Sequence, residues 1–263
     1  MEKNELVQIF YEQRAKNKIF IAEHGDDDYH HYGRGTVQYD TYFKPLLESI
    51  SANSFQDLLR SRTKVLGRKQ RILDLFAPPS SFLEYQYLYD SQHNTMEDGI
   101  AVTLMDTRRT VMLPETSGTV DLVVGDLLRG TVWESLRGKQ DKKYDLIVCR
   151  PQSPFRDRND DGLIYFPLLK KAWDVLSEET GMMFVQLPRI YARPGKGGNP
   201  VGNMDKWEKF LSACAIPCTV FQTSVRPEFL DVDILLQKTI NSPAKFPRFA
   251  EFMEWNSAGE KTC

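Results

Sequence analysis

Arg71-Ile-Leu-Asp-Leu-Phe-Ala-Pro-Pro-Ser-Ser81 is the stretch that decides the fold. An apolar run that carries one acid, Asp74, passes directly into a turn, which is typical of the first strand and ligand loop of an α/β domain. Such a loop normally contains glycine, because the backbone turns sharply there and approaches a ligand closely. In this chain the turn is filled by Phe76, Ala77, Pro78, Pro79, Ser80 and Ser81. The function therefore depends on whether this altered loop still holds a ligand.

Downstream of this stretch, short apolar runs alternate with helical patterns. Runs rich in Val, Ile and Leu that alternate with helices predict parallel strands buried on both faces of a sheet. The link Arg226-Pro227-Glu228 is too short for a crossover helix, so the last two runs should pair antiparallel at the sheet edge. We predict an α/β fold with a seven-stranded, mostly parallel sheet and an antiparallel last strand. The predicted strands are Ile72–Phe76, Ile100–Met105, Val120–Val124, Tyr144–Cys149, Met182–Leu187, Cys218–Thr223 and Val232–Gln237.

The patterns divide the chain into three segments. Residues 1–60 are predicted to form a helical N-terminal extension, because their apolar positions recur at helical spacing. Residues 61–240 are predicted to form the sheet domain, and residues 241–263 a C-terminal tail. The predicted helices lie at 4–20, at 40–60 (one or two), and at 80–91, 131–138, 164–177, 205–214 and 249–255.

Composition excludes some classes of protein. Apolar residues at 41% and charged residues at 27% are ordinary for a soluble globular chain. The formal charge of -2 gives no general attraction to nucleic acid. No apolar run approaches the ~20 residues that cross a bilayer, and the N-terminus lacks the apolar core of a signal peptide. Four scattered cysteines favour a reducing, intracellular location, cytoplasmic or nuclear.

Four segments fit one known pattern. Asp74–Phe82 reads Asp-Leu-Phe-Ala-Pro-Pro-Ser-Ser-Phe, and Gly99–Leu104, Val124–Leu127 and Tyr144–Cys149 cover the next three strand ends. Together they resemble the class I S-adenosylmethionine (SAM)-dependent methyltransferases. Among these they are most similar to the FtsJ-type ribose 2′-O-methyltransferases, whose first loop reads Asp-Leu-x-Ala-x-Pro-Gly-Gly-Phe. The resemblance covers residues 71–240 and implies a Rossmann-like methyltransferase fold with SAM as the cofactor.

The resemblance also implies a cofactor site at the carboxyl edge of the sheet, where parallel α/β sheets bind ligands. Asp74 would orient the first loop or reach the methionine amino group, and Asp106 would accept hydrogen bonds from the ribose hydroxyls. Asp126 would accept one from the adenine amino group. Each acid could instead be a helix cap or turn residue, roles that Asp favours. The predicted cofactor-binding residues are Asp74, Phe76, Ala77, Pro78, Ser80, Ser81, Asp106, Gly125, Asp126 and Arg150.

The chain departs from the FtsJ pattern at its functional positions. Ser80-Ser81 replaces Gly-Gly, although serine hydroxyls still donate hydrogen bonds to a carboxylate. The family uses a Lys-Asp-Lys-Glu tetrad, in which the second lysine deprotonates a ribose hydroxyl. Arg150 stands where the Asp ends the fourth strand, and Gln186 where the second Lys lies on the fifth. Neither side chain is a base at neutral pH. Lys44 and Glu228 are candidates for the outer positions.

Two functions are consistent with these departures. The first is a SAM-dependent methyltransferase with an altered acceptor site, acting on RNA or a small molecule, because transfer to a good nucleophile needs mainly proximity and alignment. The second is a catalytically inactive methyltransferase-fold protein that acts as a binding or scaffold subunit for a protein partner. The sequence identifies no catalytic residue for either.

Six of the twelve residues from Arg60 to Arg71 are basic. Such a stripe would hold the phosphates of RNA or of a phosphate-bearing substrate. A solvated helix end before the first strand explains it equally well. The residues expected to contact phosphate are Arg60, Arg62, Lys64, Arg68 and Lys69.

Three of the four histidines, His24, His30 and His31, lie among acids in one loop. Imidazole and carboxylate groups of this kind bind Zn²⁺ or Mn²⁺ when they are held in place. No regular spacing organises them here, so we predict no metal site.

Overall fold

The computed structural model describes residues 39–40, 43–75, 96–103, 120–124, 130–138, 143–149, 165–187, 200–226 and 229–258. The described helices are α1 (Lys44–Ser49), α2 (Phe55–Leu66), α3 (Gly130–Gly138), α4 (Tyr165–Val175), α5 (Pro200–Ala213) and α6 (Phe249–Ser257). The described strands are β1 (Gln70–Leu75), β2 (Met96–Thr103), β3 (Val120–Val124), β4 (Leu146–Cys149), β5 (Met182–Leu187), β6 (Cys218–Arg226) and β7 (Phe229–Gln237).

The strands form one sheet in the order β3-β2-β1-β4-β5-β7-β6. Strands β1 to β5 pair in parallel with one another, whereas β7 runs antiparallel to both β5 and β6. The prediction of an α/β fold with a mostly parallel sheet and a reversed last strand is confirmed. The strand order reverses between β1 and β4, and α/β sheets bind ligands in the crevice at the carboxyl ends of such strands.

The strand positions agree with the predictions, but some boundaries differ. β2 starts at Met96 rather than Ile100, because its pairing with β1 begins at the Gln70–Met96 register. β6 continues to Arg226 and β7 begins at Phe229, so both strands of the hairpin are longer than predicted. Cross-strand pairing sets these ends, and apolar runs within one strand do not reveal it. The helices predicted at 4–20 and 80–91 lie outside the described residues.

Helices α1 and α2 cover one face of the sheet. Ser54 begins α2 by accepting a hydrogen bond from the Asp57 backbone N–H at 3.1 Å. Gly67 ends it in the left-handed conformation, with φ of +64°. Both helices turn their apolar side onto the sheet, as the helical pattern over 40–60 predicted. The cluster on this face includes Phe43, Leu46, Leu47, Phe55, Leu58, Leu59, Ile72, Leu146, Val148, Phe184 and Leu235.

Helices α3 to α6 contribute to the apolar cluster on the opposite face. Trp173 of α4 and Trp207 of α5 are both buried there, as their amphipathic patterns predicted. The α6 helix packs on α5, with the Phe210 and Phe252 ring centroids 5.4 Å apart. The sheet is therefore covered by helices on both faces. No helix in the described ranges is long and apolar enough to cross a membrane.

Candidate functional site at the carboxyl edge of the sheet

Asp74 lies one residue before the end of β1, beside the crevice. Its Cα pairs with Ala101 of β2 on one side and with Val148 of β4 on the other. The side chain is fully buried at 0% exposure. Strand order and register therefore place a buried carboxylate at the point in an α/β sheet where ligands bind. The position is the one expected from the sequence, and the role of Asp74 in cofactor binding stays a prediction.

Cys149 ends β4 next to this carboxylate. Burial raises the pKa of the Cys149 thiol, and the nearby charge of Asp74 raises it further. The thiol is therefore protonated at neutral pH and is a poor nucleophile. Cys149 belongs to the apolar cluster under α3 and α4. We assign it a packing role and no catalytic one.

Gln186 of β5 and Asp233 of β7 form a buried polar pair. They lie directly opposite each other in the antiparallel register, and Gln186 Nε2 donates a hydrogen bond to Asp233 Oδ1 at 3.1 Å. Gln186 is 4% exposed and Asp233 is 0% exposed. The amide of Gln186 is therefore bound to a carboxylate within the sheet.

The register places this pair and Asp74 on one face of the sheet. Asp74 pairs with Val148, Val148 with Phe184, and Phe184 with Leu235. Gln186 is two residues after Phe184, and Asp233 is two residues before Leu235. Because side chains alternate along strands, both residues share the face of Phe184 and Leu235. Val185 pairs with Cys149, the last residue of β4. Gln186 directly follows Val185 on β5, and Asp233 pairs with Gln186. The pair is therefore at the carboxyl edge, on the same face as Asp74.

Asp233 is not among the site residues predicted from the sequence. A signal was available, because this acid interrupts an otherwise apolar run from Val232 to Leu236. Its partner Gln186 is 47 residues away in sequence, and only the β5–β7 pairing brings them together. Of the other predicted site residues, those outside the described ranges are Phe76, Ala77, Pro78, Ser80, Ser81, Asp106, Gly125, Asp126 and Arg150.

The two candidates for the outer tetrad positions gain no support. Lys44 lies on α1 with its side chain 67% exposed, and its Nζ is 3.7 Å from Glu48 Oε1. This i,i+4 ion pair is typical of a solvated helix face. Glu228 lies outside the described residues.

A second polar network lies at the opposite, amino edge of the sheet and centres on Asp145. Arg68 donates to both carboxylate oxygens at 2.7 Å, the Arg71 backbone N–H donates at 3.0 Å, and Ser177 Oγ donates at 2.9 Å. Burial alone would raise the pKa of Asp145, but these hydrogen bonds and the Arg68 charge hold it below its ordinary value of 3.8. The carboxylate is therefore ionised and structural.

The structure ties two of the predicted phosphate-binding residues, Arg62 and Arg68, and also Arg71, to this network. Arg62 donates to Gln70 Oε1 at 3.1 Å and to the carbonyl oxygens of Asp145 and Thr180 at 3.2 and 2.6 Å. Arg68 holds Asp145. The guanidinium of Arg71 lies 4.9 Å from the centroid of the Tyr144 ring. These three arginines contact the protein itself. Arg60 and Lys64 lie on α2 and are exposed.

Lys238, just past β7, is a buried cation at the same amino edge. Its Nζ donates to the Trp173 carbonyl at 3.1 Å and to the Leu176 carbonyl at 3.5 Å, at the end of α4. A cation here stabilises the helix C-terminus. Burial lowers the pKa of Lys238. A cavity of about 160 Å³ adjoins it, between Arg62 and Glu179.

Within the described residues, no group of three or more His, Cys, Asp or Glu side chains is placed to hold a metal ion. Among the described residues, Cys149 and Cys218 are free thiols. The reducing compartment stays a prediction from cysteine usage.

No protein-family model matches this chain, and no curated protein matches it in sequence. Solved structures similar to it include the DszA carbon methyltransferase, at 12% identity over 81% of this chain and 57% of that one, with a TM-score of 0.48. Human methyltransferase-like protein 13 in complex with S-adenosylhomocysteine (SAH) aligns at 17% identity over 78% and 86% of the two chains, with a TM-score of 0.43.

The DhpI–SAH complex aligns at 12% identity over 80% of this chain and 94% of that one, with a TM-score of 0.40.

Proposed function

We propose that this chain is a SAM-dependent methyltransferase that binds its cofactor at the carboxyl edge beside Asp74. The observation that supports this most is a fully buried carboxylate at the end of β1, where the strand order reverses. The antiparallel pairing of β7 with β5 also supports the proposal, because it is the arrangement of class I methyltransferases. The sequence motifs resemble the same family.

The described residues fit the chemistry of SAM. Its methionine part carries an ammonium group, and Asp74 supplies a negative charge where the crevice opens. A buried carboxylate is stable when positive charge or hydrogen-bond donors face it, so such a group is a suitable ligand. When bound, SAM supplies the electrophilic methyl group. The protein's own task is to align an acceptor with that group and to exclude water.

Asp74→Asn is expected to weaken SAH binding roughly ten- to hundred-fold, because a charge-assisted hydrogen bond becomes a neutral one. Isothermal titration calorimetry of wild type and variant measures this directly. Glu179→Gln, at the amino edge, is the matched control and should bind SAH as wild type does. Equal SAH affinity in Asp74→Asn and wild type, with both folded, would place any cofactor elsewhere.

We further propose that the acceptor is not a ribose hydroxyl deprotonated by a lysine, so the chain is not a working FtsJ-type enzyme. Gln186 occupies the second-lysine position, and its amide donates to Asp233 rather than accepting a proton. Radiolabelled SAM and structured RNA should yield no 2′-O-methyl nucleosides after digestion. Robust ribose methylation by the purified chain would contradict this and require another base.

A second candidate function is a methyltransferase-fold binding or scaffold subunit without catalysis. The neutral Gln186, at the position of the family base, is the observation that favours it. An RNA or phosphate-bearing ligand would then meet the exposed Arg60 and Lys64, and Lys69 beside them. Binding of SAH with no methyl transfer to any acceptor would support this function over the first.

A further inference from the structure

The amino edge of the sheet carries exposed apolar side chains beside a cavity. The apolar side chains that line the cavity next to Lys238 are Val65, Leu66 and Met182. Val65 is 85% exposed, and Ile240, which directly follows the lining residue Thr239, is 78% exposed. Among the large apolar side chains in the described ranges, only these two and Met253 are exposed. Single exposed apolar residues are ordinary, whereas a group of them beside a cavity is typical of an interaction site.

The size and lining of the cavity indicate what it holds. Its volume of about 160 Å³ is below the roughly 300–1,000 Å³ of pockets that enclose a small-molecule ligand. It suits one protruding side chain of a partner better. Arg62 and Lys238 also line the cavity, but both donate to backbone carbonyls of the protein itself. The cavity therefore needs no anion inside it, and an apolar side chain is the better occupant.

Positive charge lies along α2 beside the cavity. Residues 60–69 contain arginine and lysine but no aspartate or glutamate. Arg60 and Lys64 are both exposed and lie one helical turn apart, and Lys64 directly precedes Val65. The turn before β5 has two exposed acids, Glu178 and Glu179. Because charges act over about 8–10 Å at physiological ionic strength, a segment lying along α2 meets positive charge even where these cations have contacts within the protein.

We propose that the amino-edge surface, meaning the cavity together with Arg60, Lys64 and Val65, docks an acidic segment of a partner protein. One large apolar side chain of that segment fills the cavity, and its acids face Arg60 and Lys64. RNA fits less well, because none of the described residues that line the cavity is aromatic and able to stack on a base. The surface is at the edge opposite Asp74, so the inference does not depend on cofactor binding.

The test selects peptides from a random peptide library on the immobilised full-length chain. The selected peptides should carry a large apolar residue next to aspartate or glutamate. One of them is then synthesised, and its affinity is measured by fluorescence polarisation. Replacing its apolar residue by serine, or its acids by lysine, should weaken binding about ten-fold or more.

Two variants of the chain separate the apolar contact from the charge. Val65→Ser should weaken binding of the selected peptide about ten-fold, because it removes the apolar contact. Lys64→Glu should weaken it roughly three- to ten-fold, because it places like charges opposite each other. Met253→Ser on α6 and Lys206→Glu on α5 are the matched controls, since both residues are exposed, and they should bind as wild type does. Thermal melting checks that each variant is folded.

Weaker binding in Val65→Ser and Lys64→Glu, with both controls unchanged, supports the inference. It is overturned if no peptide is selected, if the selected peptides are basic, or if either variant binds them as wild type does. Light scattering that shows a dimer lost in Val65→Ser would make a second copy the occupant and overturn it. So would a single-stranded RNA oligonucleotide whose binding needs Lys64 but not Val65. Val65→Ser should bind SAH as wild type does, which keeps this result separate from the proposed function.

Discussion

Replacing Asp145 by Ala is expected to lower the free energy of unfolding by about 3–5 kcal/mol. The carboxylate is fully buried and accepts hydrogen bonds from Arg68, from the Arg71 backbone and from Ser177. Its removal leaves the buried Arg71 N–H and the Ser177 hydroxyl without that acceptor. Urea denaturation of wild type and Asp145→Ala measures the difference.

The chain provides a matched control in a second Arg–carboxylate pair. Arg248 Nε lies 2.9 Å from Glu251 Oε1 at the start of α6, but the two side chains are 69% and 41% exposed. Solvent screens this pair, so Glu251→Ala should cost about 1 kcal/mol or less. Similar losses from both substitutions would contradict a structural role for the buried Asp145 network.

The same network makes stability depend on pH. Because the folded-state pKa of Asp145 lies below the ordinary 3.8, its contribution is fully present above pH 3.8. It is lost as the pH falls from there through the folded-state pKa. Wild type should therefore lose stability more steeply than Asp145→Ala in this acid range.

Phe184→Ala is expected to cost about 3–5 kcal/mol. This fully buried β5 side chain packs edge-on against Phe55 and Phe43, with ring centroids 4.9 and 5.7 Å away. It thereby joins α2 and the start of α1 to the sheet. Guanidinium denaturation followed by fluorescence and circular dichroism should show one weakened, cooperative transition.

Val65→Ala is the control for Phe184→Ala, because Val65 is 85% exposed and should change stability by less than about 0.5 kcal/mol. A cost for Phe184→Ala no greater than this would show that the α1–α2 layer contributes little to the fold. Two separate transitions in wild type would lead to the same conclusion.

The sequence predicted the sheet well, because its signals are local. Val-, Ile- and Leu-rich runs marked the strands, and the short link after Arg226 predicted the reversal of β7. Helix spacing predicted the apolar faces of α1 and α2, including Phe43 and Leu47. Boundaries such as Met96 could not be predicted, because they depend on pairing with a strand far away in sequence.

The polar contacts were less predictable, because they join residues that are far apart in sequence. Arg68 and Asp145 are 77 residues apart, and nothing near either one indicates the other. The stripe from Arg60 to Arg71 suggested phosphate binding, and nothing near Arg62 or Arg68 in sequence indicated their hydrogen bonds to Thr180 and Asp145. Asp74 was predicted at the ligand edge because a strand and its turn are neighbours in sequence.

Hydrogen–deuterium exchange of the full-length chain, with and without saturating SAH, tests the central claim most directly. We expect slower exchange in peptides that cover the ends of β1 and β4, next to Asp74 and Cys149. Exchange near Arg62 and Lys238, at the amino edge, should not change. Protection confined to that amino edge, or no protection anywhere, would contradict a SAM site at the carboxyl edge of this sheet.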